Sequence, residues 1–278
     1  MPAGRGRGGW CYVRAVRFRN LGLDELTIED EQSFRHVGLY DELKQALRRD
    51  GYRFRVPERG TASWDRVLFL NLTFWDPGEQ GDVLASDVIP GDVVTHVAWH
   101  HLARRALAGA PQRSPTHAHA GVSADALLLG ESIASAFDLY LVGRLLGHAP
   151  DATFLETQVP AMSEVAEAAG LDEAAFEALL AAIAADPDRA FEDLRELLFD
   201  ASSALVGCAG VEDAAAVLAR FDAHRFGPLL HHYELSNWIL YARAHTPGAL
   251  GPDPAVRAID AALRSAPVAL DWLQKEWL

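Results

Sequence analysis

The feature that most limits how this 278-residue chain can fold is the lack of strand-like alternation after residue 151. From there onward, apolar residues recur with helical spacing, and Gly, Pro or Asp separates one segment from the next. This pattern predicts an all-helical carboxyl lobe. Its predicted helices cover residues 160–169, 172–185, 187–206, 211–221, 228–245 and 253–275.

Alternating segments mark the amino-terminal quarter of the chain. Residues 10–19 and 52–56 alternate apolar with basic side chains, and residues 65–75 form a longer, nearly continuous apolar run. A predicted amphipathic helix, residues 40–49, lies between the first two strands, and residues 1–9, rich in Gly and Arg, predict a flexible tail. We therefore expect an α+β protein with a small mixed or antiparallel sheet at its amino end.

Two histidines lie one helical turn apart between these two regions. His96 and His100 belong to a predicted helix that begins near Pro90, so their imidazoles share one face of that helix. A second predicted helix, capped by Ser123, carries Glu131. Two histidines and one glutamate are a usual ligand set for catalytic zinc, and two histidines with a carboxylate also suit non-haem iron. The three residues are therefore the predicted metal ligands.

These two helices resemble the metal-binding core of the gluzincin metallopeptidases, the thermolysin-like group. In that family an H-E-x-x-H helix is followed by a helix that reads roughly E-x-x-x-D or E-x-I-A-x-x-F. Here residues 94–100 read Val-Thr-His-Val-Ala-Trp-His, and residues 130–137 read Gly-Glu-Ser-Ile-Ala-Ser-Ala-Phe. The Glu that follows the first His in the family, the general base for metal-bound water, is Val97 in this chain.

The resemblance implies a zincin-like pair of helices that holds Zn²⁺, with Fe²⁺ as the alternative metal. A metal-bound imidazole needs an acceptor that fixes its tautomer. Asp138 is the stronger candidate for that acceptor, and Ser135, at the position usual in the family, is the weaker one. The family also places a His or Tyr from the carboxyl lobe near the transition state. The candidates for that role here are His231, His232 and Tyr233.

Other histidines receive no ligand role. His101 points about 100° away from the face that carries the pair, and we expect it to contact the helical lobe. His117 and His119 lie in a predicted loop, residues 108–121, where a solvated position is favoured over metal binding.

The net charge narrows the range of binding partners, and the cysteines and apolar segments indicate the cellular compartment. The formal net charge of −14 argues against nucleic acid or an anionic membrane surface as the main partner.

Cys11 and Cys208 match no metal or redox spacing, which suits a reducing compartment. The amino end lacks a signal-like apolar run, and no segment approaches eighteen uninterrupted apolar residues. We expect a cytoplasmic protein; its oligomeric state stays open.

Three hypotheses for function follow from these observations. The first is a gluzincin-like metal-binding protein, either a pseudo-peptidase that binds a peptide or protein or a metal-dependent peptidase with a displaced general base. The second is a mononuclear non-haem iron enzyme that uses a facial triad of two His and one Glu. The third is a metal-free helical interaction protein. The resemblance implies a zincin-like α+β metal-binding lobe of residues 10–150, which follows the tail, and the helical periodicity predicts a helical lobe of residues 151–278.

Overall fold

A computed structural model describes residues 17–58, 81–107, 122–246 and 248–278. Within these ranges, short strands lie towards the amino end and helices make up most of the rest. The predicted α+β class, with a helical carboxyl region, is confirmed. The predicted tail, the third predicted strand and the predicted loop lie outside the described residues.

The described strands form two separate two-stranded sheets. Strands β1 (Phe18–Gly22) and β3 (Arg53–Pro57) pair in antiparallel fashion, whereas β2 (Thr27–Glu29) and β4 (Val88–Pro90) pair in parallel. The alternation at residues 52–56 predicted β3 correctly, and β1 overlaps the end of the first predicted strand. The sequence did not predict β2 or β4, because three residues are too few to show a period of two.

Ten α-helices lie within the described ranges, and their apolar faces form one continuous hydrophobic core. They are α1 (Tyr40–Arg49), α2 (Gly91–Leu107), α3 (Ala124–Leu146), α4 (Thr153–Ala168), α5 (Glu173–Ala185), α6 (Pro187–Leu205), α7 (Val211–Leu218), α8 (Leu235–His245), α9 (Pro254–Ser265) and α10 (Ala269–Trp277).

Three predicted helices differ from those observed. The helix predicted from residue 160 begins at Thr153, so Pro160 lies inside α4 and not at its first turn. The segment predicted as one helix over residues 228–245 is a 3-10 helix (Gly227–Tyr233) followed by α8. Glu234 separates the two with a φ of 47°, a left-handed conformation that ends a helix. The last predicted helix is divided into α9 and α10.

Helix α3 is the central element of the core. Of its 23 residues, 18 are buried, and it contacts α2 as well as α6. Its start is as predicted, since the Ser123 hydroxyl accepts a hydrogen bond from the Ala126 backbone N–H at 3.3 Å. A Cβ at Gly130 would lie 3.2 Å from the Cβ of Ala103, so this glycine permits the close approach of α2 and α3. The predicted boundary between the amino-terminal lobe and the helical lobe, at residue 150, stays a prediction.

By length and composition α3 could also cross a membrane. Its most apolar window has a mean hydropathy of 1.4. Within the fold, 83% of that window is buried. A helix that is apolar on all sides is expected at the centre of a helical core, and α3 occupies that position.

Candidate metal centre

The fold brings the three predicted ligands together where α2 crosses α3. The candidate ligand atoms of His96, His100 and Glu131 all lie within 4.8 Å of one another. The Nε2 atoms of the two histidines are 3.1 Å apart, and Nε2 of His100 lies 3.4 Å from Oε2 of Glu131. Helical spacing explains the histidine pair, whose rings stack with centroids 4.8 Å apart.

These separations match the needs of a single metal ion. Zinc binds imidazole nitrogen and carboxylate oxygen at about 2.0–2.2 Å, so tetrahedral ligand atoms lie roughly 3.3–3.5 Å from one another. The two measured separations, 3.1 and 3.4 Å, are close to that range. Two nitrogens and one carboxylate are also a ligand set that zinc and ferrous iron both accept. The residues present therefore fit a mononuclear metal ion.

The cluster is half-buried and opens into a small cavity of about 180 Å³. The side chains of His96, His100 and Glu131 are 33%, 28% and 14% exposed to solvent, respectively. All three line this cavity, which we call the ligand cavity. A metal ion held here would have space beside it for water or for one group of a substrate.

Asp138 accepts a hydrogen bond from the first histidine. Its Oδ2 lies 2.9 Å from Nδ1 of His96, which leaves Nε2 of that ring directed towards His100. A carboxylate on one ring nitrogen fixes the tautomer and raises the basicity of the other nitrogen. Ser135 is buried on the same helix and lines a different cavity. Of the two acceptors considered from the sequence, Asp138 has the required contact.

The charges of the cluster shift the pKa values of its members. Burial lowers the pKa of His96, but the charge and hydrogen bond of Asp138, with a contribution from Glu131, raise it to about 9. Burial raises the pKa of Glu131, but the two histidines outweigh that effect and hold the pKa below its usual range. The site thus favours positive charge at the histidines, which either a proton or a metal ion supplies.

Val97 occupies the position of the family's general base. It lies one residue after His96, is 5% exposed and lines the ligand cavity. Its side chain carries no group that accepts a proton. The wall of the cavity at this position is therefore apolar.

The lining of the ligand cavity includes residues that sequence analysis did not single out, among them Asp82, Arg104 and Tyr241. Asp82 accepts a hydrogen bond of 2.8 Å from the Tyr52 hydroxyl, and its charge raises the pKa of Glu131. Tyr241 lines both this cavity and a larger one beside Asp138. Neither Asp82 nor Tyr241 belongs to a motif. Asp82 precedes His96 by 14 residues and Tyr241 follows Glu131 by 110, so no pattern within one helix could have indicated them.

The three candidates for transition-state stabilisation lie in different places. His232 and Tyr233 line the larger cavity together with Asp138, and neither is among the described residues that line the ligand cavity. Burial and the charge of Asp138 raise the pKa of Tyr233, whereas burial lowers the pKa of His232. His231 is exposed and borders a separate groove.

The hydrogen bond and the ring contact of His101 are made with the amino-terminal region, and the expected contact with the helical lobe stays a prediction. Its Nε2 lies 2.9 Å from Oδ2 of Asp50, the residue that ends α1, and its ring packs edge-on against Tyr52. The ring turns towards the amino-terminal region because it lies on a different face of α2 from the His96–His100 pair. His117 and His119 lie outside the described residues.

Comparison of the chain with family models, curated proteins and solved structures returns no match. The resemblance to the gluzincins therefore depends on the two sequence segments quoted above and stays a prediction. The candidate metal centre depends on the geometry of His96, His100, Glu131 and Asp138.

Proposed function

We propose that this protein binds one divalent transition-metal ion, zinc in the first place, through Nε2 of His96, Nε2 of His100 and a carboxylate oxygen of Glu131. The observation that carries the proposal is the convergence of these three atoms, with separations of 3.1 and 3.4 Å, while Asp138 occupies the remaining nitrogen of His96.

We further propose that the protein is a gluzincin-like pseudo-peptidase that binds a peptide or protein. Bound zinc polarises a carbonyl oxygen and can lower the pKa of water to about 7. General-base assistance typically contributes about 10²–10⁴-fold to such a reaction, and Val97 supplies none. If the protein does hydrolyse peptides, Asp82 is the candidate for the displaced base, since its carboxylate lines the ligand cavity.

A non-haem iron enzyme is the second candidate. The same three side chains form the set of two His and one carboxylate that ferrous oxygenases use, and such chemistry does not require a base at position 97. The identity of the bound metal separates this candidate from the first.

Equilibrium metal binding tests the site that both candidates share. Protein stripped with a chelator is dialysed against Zn²⁺, or against Fe²⁺ without oxygen, and the bound metal is measured by elemental analysis. We expect one ion per wild-type chain and none in His100→Ala. The matched control is His101→Ala, which removes a histidine of the same helix that pairs with Asp50, and it should keep one ion.

Two outcomes of that experiment would contradict the proposal. If both His96→Ala and His100→Ala retain one ion, the assignment of these histidines as metal ligands is contradicted. A wild-type chain that takes up neither metal would favour the metal-free interaction protein.

A further inference from the structure

The larger cavity beside Asp138 has the size of a binding site for a small organic molecule. Its volume is about 580 Å³, and known ligand pockets span roughly 300–1,000 Å³. It lies between α3, α4, the 3-10 helix Gly227–Tyr233 and α8. None of the three proposed metal ligands is among the described residues that line it, so its ligand would bind apart from the metal centre.

Two polar side chains that are more than nine-tenths buried line this cavity. Ser135 of α3 is 6% exposed, and Trp238 of α8 is 7% exposed. Within the described part of the chain, neither the Ser135 hydroxyl nor Nε1 of Trp238 makes a hydrogen bond, and both atoms keep accessible surface. An indole N–H can only donate, so it needs an acceptor. The protein leaves that acceptor to water or to a ligand in the cavity.

Other uncharged groups of the lining can also form hydrogen bonds. Burial and the charge of Asp138 raise the pKa of Tyr233, so its hydroxyl stays protonated at neutral pH and is a third donor. Burial lowers the pKa of His232, which keeps this ring neutral. Gln158 and His245 line the same cavity, and their side chains can donate as well as accept.

The two carboxylates of the lining offer little to a charged ligand. In Asp138, Oδ2 is paired with His96 and Oδ1 has no accessible surface. Glu234 is exposed to solvent, and its Oε2 accepts a hydrogen bond of 2.6 Å from Asn237. The described lining contains no Lys or Arg. An ionic ligand would therefore lose water without gaining a buried opposite charge.

We propose that the larger cavity binds a small uncharged molecule, whose carbonyl oxygen accepts a hydrogen bond from Nε1 of Trp238 and whose apolar body lies against Val142 and Met162. A carbonyl oxygen has two lone pairs and donates nothing, so the hydroxyl of Ser135 or Tyr233 can supply a second hydrogen bond. Both apolar side chains belong to the same lining. The proposal goes beyond the metal centre and does not depend on it.

Three ligands with nearly the same skeleton and different charges test the preference for an uncharged carbonyl. They are 4-phenyl-2-butanone, 4-phenylbutan-2-amine and 3-phenylpropanoate. Isothermal titration calorimetry at about pH 8, above the ordinary histidine pKa of about 6.5, measures their affinities. We expect the ketone to bind at least about tenfold more tightly than either ion. An ion that binds as tightly as the ketone, or no binding of the ketone at millimolar concentration, would overturn the proposal.

Variants of the donors locate the binding site. Trp238→Phe removes the N–H and keeps an aromatic ring, and Ser135→Ala removes the hydroxyl. We expect Trp238→Phe to weaken binding of the ketone about 3–10-fold, the effect of one lost hydrogen bond, and Ser135→Ala to weaken it by no more than that. Unchanged affinity in Trp238→Phe would overturn the proposal.

Each donor variant has a matched control. Trp272→Phe makes the same change in α10, and Trp272 is not among the described residues that line the cavity. Ser132→Ala removes a hydroxyl of α3 that donates to the backbone oxygen of Leu128 at 2.7 Å. Both controls should keep the wild-type affinity for the ketone. An equal loss in Trp272→Phe and Trp238→Phe would contradict the assigned donor.

The carbonyl proposal and the metal proposal can fail separately. Zinc content is measured on the same Trp238→Phe and Ser135→Ala samples and should stay at the wild-type value. A chain that binds the ketone but no metal would contradict only the proposed metal function. A chain that binds one zinc ion but no ketone would contradict only the proposal for the larger cavity.

Discussion

Oδ2 of Asp138 lies 2.9 Å from Nδ1 of His96, and this contact links the two helices of the candidate centre. Asp138 stands seven residues after Glu131, about two helical turns, so α3 presents both carboxylates on one face. One helix thus supplies a candidate ligand and also the acceptor that orients a ligand of the other helix. The arrangement predicts that metal affinity depends on Asp138 as well as on the ligands.

Replacement of Asp138 by Asn should weaken zinc binding about 10–100-fold, the usual effect when the acceptor behind a metal-bound histidine is lost. Competition with a chromophoric chelator measures the affinity. Ser135→Ala is the matched control on the same helix, because Ser135 lines the larger cavity beside Asp138 and is not among the described residues that line the ligand cavity. An Asp138→Asn protein with wild-type affinity would contradict the role assigned to this contact.

The zinc affinity should rise with pH over a high range. Burial lowers the pKa of His96 in the metal-free protein, but Asp138 raises it to about 9. Zinc must displace the Nε2 proton below that pH, so the apparent affinity should rise about tenfold per pH unit from pH 6.5 to about 9 and then level off. In Asp138→Asn the rise should end nearer the ordinary histidine pKa of about 6.5. A wild-type affinity that is already constant above pH 7 would show that the His96 pKa is not raised.

Val97→Glu should create or raise peptide hydrolysis by zinc-loaded protein. Val97 lines the ligand cavity beside the histidines, and a carboxylate there would serve as the missing proton acceptor. The expected gain over Val97→Gln, a control of similar shape without a basic group, is about 10²–10⁴-fold. Cleavage of a fluorogenic peptide measures it. Equal rates in the two folded, zinc-loaded variants would count against a gluzincin-like geometry.

A buried arginine should prove essential to the helical region. Arg195 of α6 is fully buried and donates hydrogen bonds to Asp260 of α9 at 2.6 Å and to Glu192 at 3.1 Å. Arg195→Ala leaves two buried carboxylates without this partner, which should lower the free energy of unfolding by about 3–5 kcal/mol.

Urea unfolding measures that loss of stability. The control is Arg189→Ala on the same helix, because Arg189 is 65% exposed and pairs with Asp193. That substitution should cost about 0–1 kcal/mol. Similar losses in both variants would mean that burial does not decide the contribution of these ion pairs.

Features set by neighbouring residues could be predicted from the sequence. The Ser123 cap, helix α1 and the common face of His96 and His100 follow from residues within a few positions of one another. Pairing of the two histidines with Glu131 required the family resemblance as well, because a sequence alone does not say which helices cross.

Features set by distant residues could not be predicted. The choice of Asp138 over Ser135 depends on how α2 crosses α3, and spacing along α3 does not fix that crossing. Asp82 and Tyr241 reach the ligand cavity from segments outside the two helices that carry the candidate ligands. The left-handed conformation of Glu234 interrupts a segment whose apolar periodicity continues through it, so the pattern indicated one helix where there are two.

X-ray absorption at the zinc K edge of zinc-loaded wild-type protein tests the proposed ligand set most directly. Binding by His96, His100 and Glu131 predicts nitrogen and oxygen neighbours at about 2.0–2.2 Å, with outer scattering from two imidazole rings. A sulfur neighbour at about 2.3 Å, or scattering from fewer than two imidazoles, would contradict it.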